Sequence, residues 1–125
     1  MIKTVAIVSL SSGALGEPFV KHELDLGLRR LSEMGLKAKI MPNALKGIQY
    51  LKDHPEARSQ DLISAFNDPD VDLILCAIGG FDTYLLTPYL MEQNRLADSL
   101  KPKAFLGSWI LKYSATPYII FMGCF

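Results

Sequence analysis

The chain has no surplus of charge of either sign: thirteen Lys and Arg face thirteen Asp and Glu. Without a clustered basic stripe the main source of non-specific affinity for phosphate backbones is missing, so no nucleic-acid partner is expected. Histidine and cysteine are equally scarce, at two each. Cys76 and Cys124 stand far apart and at no metal-type spacing from His22 or His54, which predicts reduced thiols, no disulfide framework and no metal site. No apolar run approaches the ~20 residues of a membrane span, so no membrane partner is expected. The G-x-G-x-x-G fingerprint is also absent. Gly13 and Gly16 give only a G-x-x-G step, and no organic cofactor is implied. After Met1-Ile2-Lys3 the run Val5 to Leu10 has the outline of a secretory signal. It is short, carries serine and passes into a strand-loop-helix pattern, which favours a cytoplasmic protein.

What is present is the material of one folding unit. Hydrophobic residues make up 50% of the 125 and charged residues 21%, enough for a compact core and too short a chain for two ordinary domains. Thr4 to Leu10 is β-branched and almost continuously apolar, as a strand buried on both faces would be. From Pro18, Val20, Leu24, Leu28 and Leu31 recur at helical steps until Gly35. Leu36 to Met41 alternates as a second strand. Leu45, Ile48 and Leu51 suggest a short helix, and Pro55 to Phe66 a longer one with Leu62, Ile63 and Phe66 inward. Val71 to Ile78 is the third strand, closed by Gly79-Gly80. Thr83 to Leu90 reads as helix, with Pro88 separating it from Met91 to Leu100, and Lys103 to Leu106 is the last strand. Strands alternating with helices imply an α/β fold: a parallel sheet flanked by helices on both faces.

In such sheets ligands bind at the carboxyl ends of the strands. Three exits qualify: Ser11 to Gly16, Gly79 to Thr83, and the stretch after Gly107. A glycine pair lets backbone N–H groups approach a substrate and stabilise an oxyanion, although Gly79-Gly80 equally suits a plain strand-exit turn. Cys76 fits a core residue better than a nucleophile, His22 and His54 fit solvated positions, and Arg58 fits a structural ion pair with Asp61 or Asp70.

Taken in order, the segments resemble the N-terminal domain of the LD-carboxypeptidase family, which includes the microcin C immunity peptidases. The matching pieces are Val5 to Ser12; Arg58 with Asp61-Leu62; Ala65 to Pro69; Ile78-Gly79-Gly80-Phe81-Asp82-Thr83; Leu85-Leu86; Pro88-Tyr89-Leu90; and Pro102 to Gly107. The resemblance implies a flavodoxin-like domain over residues 1–107 and a serine carboxypeptidase. Its substrate would be an L,D-amide of a murein peptide or a related peptide-nucleotide. It also implies a Glu and a His supplied by a C-terminal domain, and it assigns the oxyanion and substrate loop to Gly79, Gly80, Asp82 and Thr83.

In that family the strand ending at Gly107 runs into Gly, Tyr or Phe, Ser, Asp or Asn, Thr, a sharp turn that exposes the nucleophile. Here the chain reads Gly107-Ser108-Trp109. Ser108 comes one position early and Ser114 lacks the preceding glycine, so the two are only weak nucleophile candidates. Residues 108–125 form an atypical tail with an apolar run, Tyr118 to Met122, and no evident partner to bury it. The expectation is a chain without its C-terminal catalytic domain, inactive as written and open to homodimerisation. The alternatives are a non-catalytic anion-binding or interaction domain using Ser11 to Gly16, or a fragment without function. Back-translated one base out of frame, Trp109-Ile110 forces a glycine codon, and the codons through Ser114 can spell the family turn. A frameshift near Leu106 to Trp109 is therefore expected. Sequencing of the coding DNA checks it: the shifted frame should continue into a second domain, and a prompt stop there removes the idea.

Overall fold

The computed structural model describes residues 1–80, 82–92, 103–107 and 119–123, the last segment by its backbone only. Five parallel strands form one sheet: β1 (Thr4–Val8), β2 (Lys37–Ile40), β3 (Leu73–Cys76), β4 (Lys103–Gly107) and β5 (Ile119–Gly123), in spatial order β2-β1-β3-β4-β5. The registers are regular, with Val5 opposite both Ala38 and Leu73, and Ile74 opposite Phe105. The helices are α1 (Lys21–Glu33), α2 (Ile48–Asp53), α3 (Pro55–Asn67) and α4 (Thr87–Met91). No helix among the described residues is long and apolar enough to cross a membrane.

The connections decide which face each helix covers. From β1 the chain steps outward to β2, and from β2 it steps back across β1 to β3. Right-handed crossovers then put α1 on one face and α3 on the other. On the α3 face, Ala6 and Val8 of β1, Ile74 of β3 and Phe105 of β4 pack with Leu62, Ile63, Ala65 and Phe66 of α3 and with Leu86 and Leu90. Full burial of a side chain such as Leu62 contributes roughly 1.5–3 kcal/mol. The α1 face is thinner. Leu24, Leu28 and Leu31 form the expected stripe but are only half-buried, because α1 lies beside β2, an edge strand whose Lys37 and Lys39 are exposed.

Three expectations need correction. The helix starting at Pro18 is a 3-10 turn, Pro18–Val20, that leads into α1. Thr83 to Leu90 is not one helix: Thr83–Leu86 is a 3-10 turn and Pro88 sits in the first turn of α4, where a missing N–H costs nothing, while most of the segment Met91 to Leu100 lies outside the described residues. The strand at Lys103 is not the last one in the sheet. Ile119–Gly123 lies parallel to β4, with Lys103 opposite Ile119 and Gly107 opposite Gly123. Reading β4 as the last strand left its outer row of N–H and C=O groups open, and an unpaired edge accepts a β-branched segment.

Two polar ties fix the amino ends of the strands. Lys103 is buried, and its ammonium donates to the carbonyls of Ala65 and Asp68 at the C-terminal end of α3, where the helix dipole favours a cation. One oxygen of Asp72, just before β3, accepts the N–H groups of Lys3 (2.8 Å) and Thr4 (2.9 Å). Those backbone bonds hold the Asp72 carboxyl below its ordinary value, as the Lys39 ammonium does for Asp68. A carboxyl depressed in the folded state stabilises above its unfolded value and loses that contribution as pH falls through the folded one. Stability should therefore decline below about pH 4, the unfolded carboxylate range. In denaturant titrations at pH 2.5 to 6, Asp72→Asn should flatten that decline.

Candidate functional site

β1 and β3 are neighbours, yet the chain leaves β1 for α1 on one face and β3 for α4 on the other. A crevice therefore opens between their carboxyl ends, the usual ligand position in a sheet of order 2-1-3-4-5. The loop Ser9 to Gly16 enters it from β1, and the loop Ala77 to Asp82 from β3.

The two loops are tied together. Ser11 Oγ donates to Asp82 Oδ1 at 2.5 Å, and the Asp82 N–H points back at the same hydroxyl at 3.4 Å. Gly80 lies against Ser11 so closely that a Cβ at position 80 would overlap the serine Oγ. Beneath them is Arg58 of α3, at 0% exposure. Its Nη1 donates to the carbonyls of Leu10 (3.1 Å) and Ser11 (3.3 Å), and lies 3.3 Å from Asp82 Oδ1. Arg58 Nε and Nη2 have no acceptor among the described residues. Each buried donor left unmade costs about 1–3 kcal/mol.

Arg58 therefore pairs with Asp82 and not with the expected Asp61 or Asp70. Asp61 instead accepts the backbone N–H (2.9 Å) and the side-chain amide (2.8 Å) of Asn43. Burial raises the Asp61 carboxyl above its ordinary value, against the lowering effect of those bonds. The Asp70 N–H bonds Asp68.

Strain sits at the same corner. Ile78 has φ +47°, a left-handed conformation that a β-branched side chain adopts only at a cost of ~1–3 kcal/mol. It turns the chain out of β3 into Gly79-Gly80. Neither glycine N–H has an acceptor among the described residues, so both remain available as donors. Thr83, half-buried, opens the 3-10 turn, and the Asp82 carboxylate turns toward Ser11 and Arg58 without capping that turn.

Gly107 stands on the same rim: a Cβ there would press on Cys76 of β3 and on the Phe105 ring. The exit of β4 thus lies beside the Gly79-Gly80 exit, as the sequence reading required. Ser108 and Ser114 lie outside the described residues. Cys76 is half-buried against the core, and burial pushes its thiol up, against a bond from the Leu10 N–H. His22 is exposed, and His54 stacks on Tyr50 with ring centroids 4.1 Å apart. No cluster of metal-binding side chains occurs among the described residues.

In the Ser11 to Gly16 loop, two backbone donors are already engaged within the turn. The Gly16 and Glu17 N–H groups bond Gly13 and Ala14, and the Ala14 N–H faces Ser12 Oγ at 3.3 Å. Gly13 and Gly16 are needed for close packing, since a Cβ at either would overlap backbone of Leu45 to Gly47. A cleft of about 580 Å³ lined by Lys3, Lys37, Lys39, Asp70 and Asp72 lies at the opposite, amino-terminal rim. That end of a parallel sheet is where ligands are not ordinarily held.

From sequence, Arg58 is readable only as a structural ion-pair residue and Ser11 only as the start of a strand-exit loop, with no link between them. A signal existed for Arg58, which falls one turn before Leu62 on the buried stripe of α3, a place where a charge is anomalous.

Residues 5–108 match the family model described as LD-carboxypeptidase N-terminal domain. Over 81 residues, 64% of the chain, the sequence is 42% identical to a probable murein peptide carboxypeptidase of Bacillus subtilis, covering 24% of that protein. Among solved structures, an MccF-like protein from Streptococcus pneumoniae in complex with AMP is similar at 57% identity and TM-score 0.82, over 85% of this chain and 31% of that one. An MccF-like protein from Bacillus anthracis is similar at 26% identity and TM-score 0.70, over 86% of this chain and 31% of that one. The matched region thus spans 24% to 31% of the length of these relatives.

Two substitutions check the geometry by denaturant titration. Gly80→Ala should displace Ser11 from Asp82 and destabilise by about 1–3 kcal/mol, the usual cost of overpacking. Ile78→Asn, a residue that tolerates the left-handed region, should be neutral or stabilising by up to about 1 kcal/mol.

Proposed function

Since the chain belongs to the LD-carboxypeptidase family, which it matches through the N-terminal domain, we propose that it forms the oxyanion-side half of a serine carboxypeptidase site. The reaction class is attack of a serine hydroxyl on a peptide amide, with the C-terminal residue as leaving group. As the tetrahedral intermediate forms, negative charge collects on the former carbonyl oxygen. Donors already fixed around that oxygen lower the barrier, by about 3–4 kcal/mol for a single good one.

Gly79 and Gly80 are the donors this chain contributes. Their N–H groups, without an acceptor among the described residues, on a loop held by Ser11 and Asp82 beside the exit of β4, are the observation that carries the reading. The family's nucleophile turn follows that same exit. Thr83, next along the loop, lies within the substrate-facing stretch. The amide would lie between an L- and a D-centre of a murein peptide or a peptide-nucleotide. The B. subtilis relative is named for murein peptides and the S. pneumoniae relative holds AMP. The higher identity to the AMP-bound protein favours the peptide-nucleotide, in a cytoplasmic setting.

We place no complete relay within residues 1–125, because Gly107 is followed by Ser108-Trp109 where the family has its nucleophile turn. The purified chain should release no product from a murein tetrapeptide or from a glutamyl sulfamoyl nucleoside above a buffer blank, and turnover would overturn that assignment. Titration of ¹⁵N-labelled chain with a peptidyl phosphonate, a tetrahedral anion, tests the donors directly. The Gly79 and Gly80 amide resonances should move. Shifts confined to the Lys3 and Lys39 cleft would refute the assignment.

A further inference from the structure

We propose that Arg58 is a positioning residue for the Gly79–Gly80 loop, acting through Asp82 and Ser11 without meeting substrate. The mechanical part stands on geometry alone, and its catalytic meaning rests on the oxyanion reading above.

Arg58 belongs to neither loop. It comes from the first turn of α3 and reaches the crevice from below, wholly out of solvent. One nitrogen, Nη1, holds both strand exits: the Leu10 and Ser11 carbonyls on the β1 side and the Asp82 carboxylate on the β3 side. From Asp82 the tie continues to Ser11 Oγ, and the serine side chain is the surface against which Gly80 rests. Any shift of the guanidinium is passed to both sides of the glycine pair, upstream through Ser11 and downstream through Asp82.

The chemistry at position 58 also argues against a filler role. A side chain whose only task was to pack α3 on the sheet would be apolar, as Leu62, Ala65 and Phe66 are along the same face. This position keeps a permanent cation with two N–H-bearing nitrogens, Nε and Nη2, unmatched among the described residues. A buried charge tolerated at that cost acts as a fixed reference point, since it can move only with its acceptors. The strained Ile78 on the near side of the glycines makes the same demand: a left-handed isoleucine persists only where its surroundings over-determine the backbone.

The test uses the full ¹⁵N-labelled 125-residue chain and reads backbone order parameters at Gly79 and Gly80, with β1 and β2 amides as the reference. Arg58→Met should lower the two glycine values from the rigid range of about 0.85 to below about 0.6, with the strands unchanged. Arg58→Lys, which keeps a cation for Asp82, should restore part of the difference. If Arg58→Met does not fold, Asp82→Asn carries the test, because the amide can still bond Ser11 but no longer answers the guanidinium. Glycines that stay as ordered as in the unsubstituted chain, while only the melting temperature falls, would reduce Arg58 to a structural residue. An ordered loop in the unsubstituted chain that ignores a peptidyl phosphonate, yet loosens in Arg58→Met, would sink the oxyanion reading and leave the positioning role standing.

Discussion

A guanidinium removed from water has to be met by acceptors that cannot drift away, and in this chain the acceptors of Arg58 are the two strand exits that make the site. The carbonyls of Leu10 and Ser11 are fixed by β1, and the carboxylate of Asp82 is fixed by Ser11. The pairing works because β1 and β3 are adjacent and parallel, so that both exits open on one rim. Without that adjacency the charge would lack its counter-ion, and Gly79-Gly80 would be an ordinary turn. The arrangement also accounts for the smallness of position 80, where the serine that bonds Asp82 takes up the space of a side chain.

Polar ties of different character hold the two ends of the sheet. At the amino rim, Asp72 binds backbone of Lys3 and Thr4, and Lys39 pairs with Asp68. These contacts lie at or near the surface and are weakened by acid or salt, and the buried Lys103 ammonium adds its bonds to the Ala65 and Asp68 carbonyls. At the carboxyl rim the tie is buried, involves a permanent charge and sits beside a strained isoleucine. The first kind adds to stability. The second kind restricts geometry, which is what a set of backbone donors needs if it is to act without reorganising during a reaction.

Much of this could be anticipated from single residues and their spacing. The β-branched runs at Thr4 to Leu10 and Val71 to Ile78 have few alternatives to buried parallel strands, and both form, shortened to Thr4–Val8 and Leu73–Cys76, their carboxyl ends peeling away into the crevice loops. Gly79-Gly80 stood out because two glycines after such a strand are conspicuous. The fifth strand is not legible in the sequence for a reason of principle. Whether an apolar segment has a partner depends on which strand of the sheet is left with an open edge, and that is a property of strand order.

The order of residues by itself determined the strand and helix types, the parallel α/β class, the glycine pair at the third exit and the resemblance to a peptidase family. These follow from local patterning, from hydrophobic periods and from turn-forming residues, all of which act over a few positions. Only the tertiary structure decided that Arg58, Ser11 and Asp82 form one unit, that Gly13 and Gly16 serve backbone packing, and that the exits of β3 and β4 share a rim. Arg58 is 24 residues from Asp82 and 47 from Ser11 along the chain. Contacts across such separations are set by crossover handedness and strand adjacency, which local patterning does not encode.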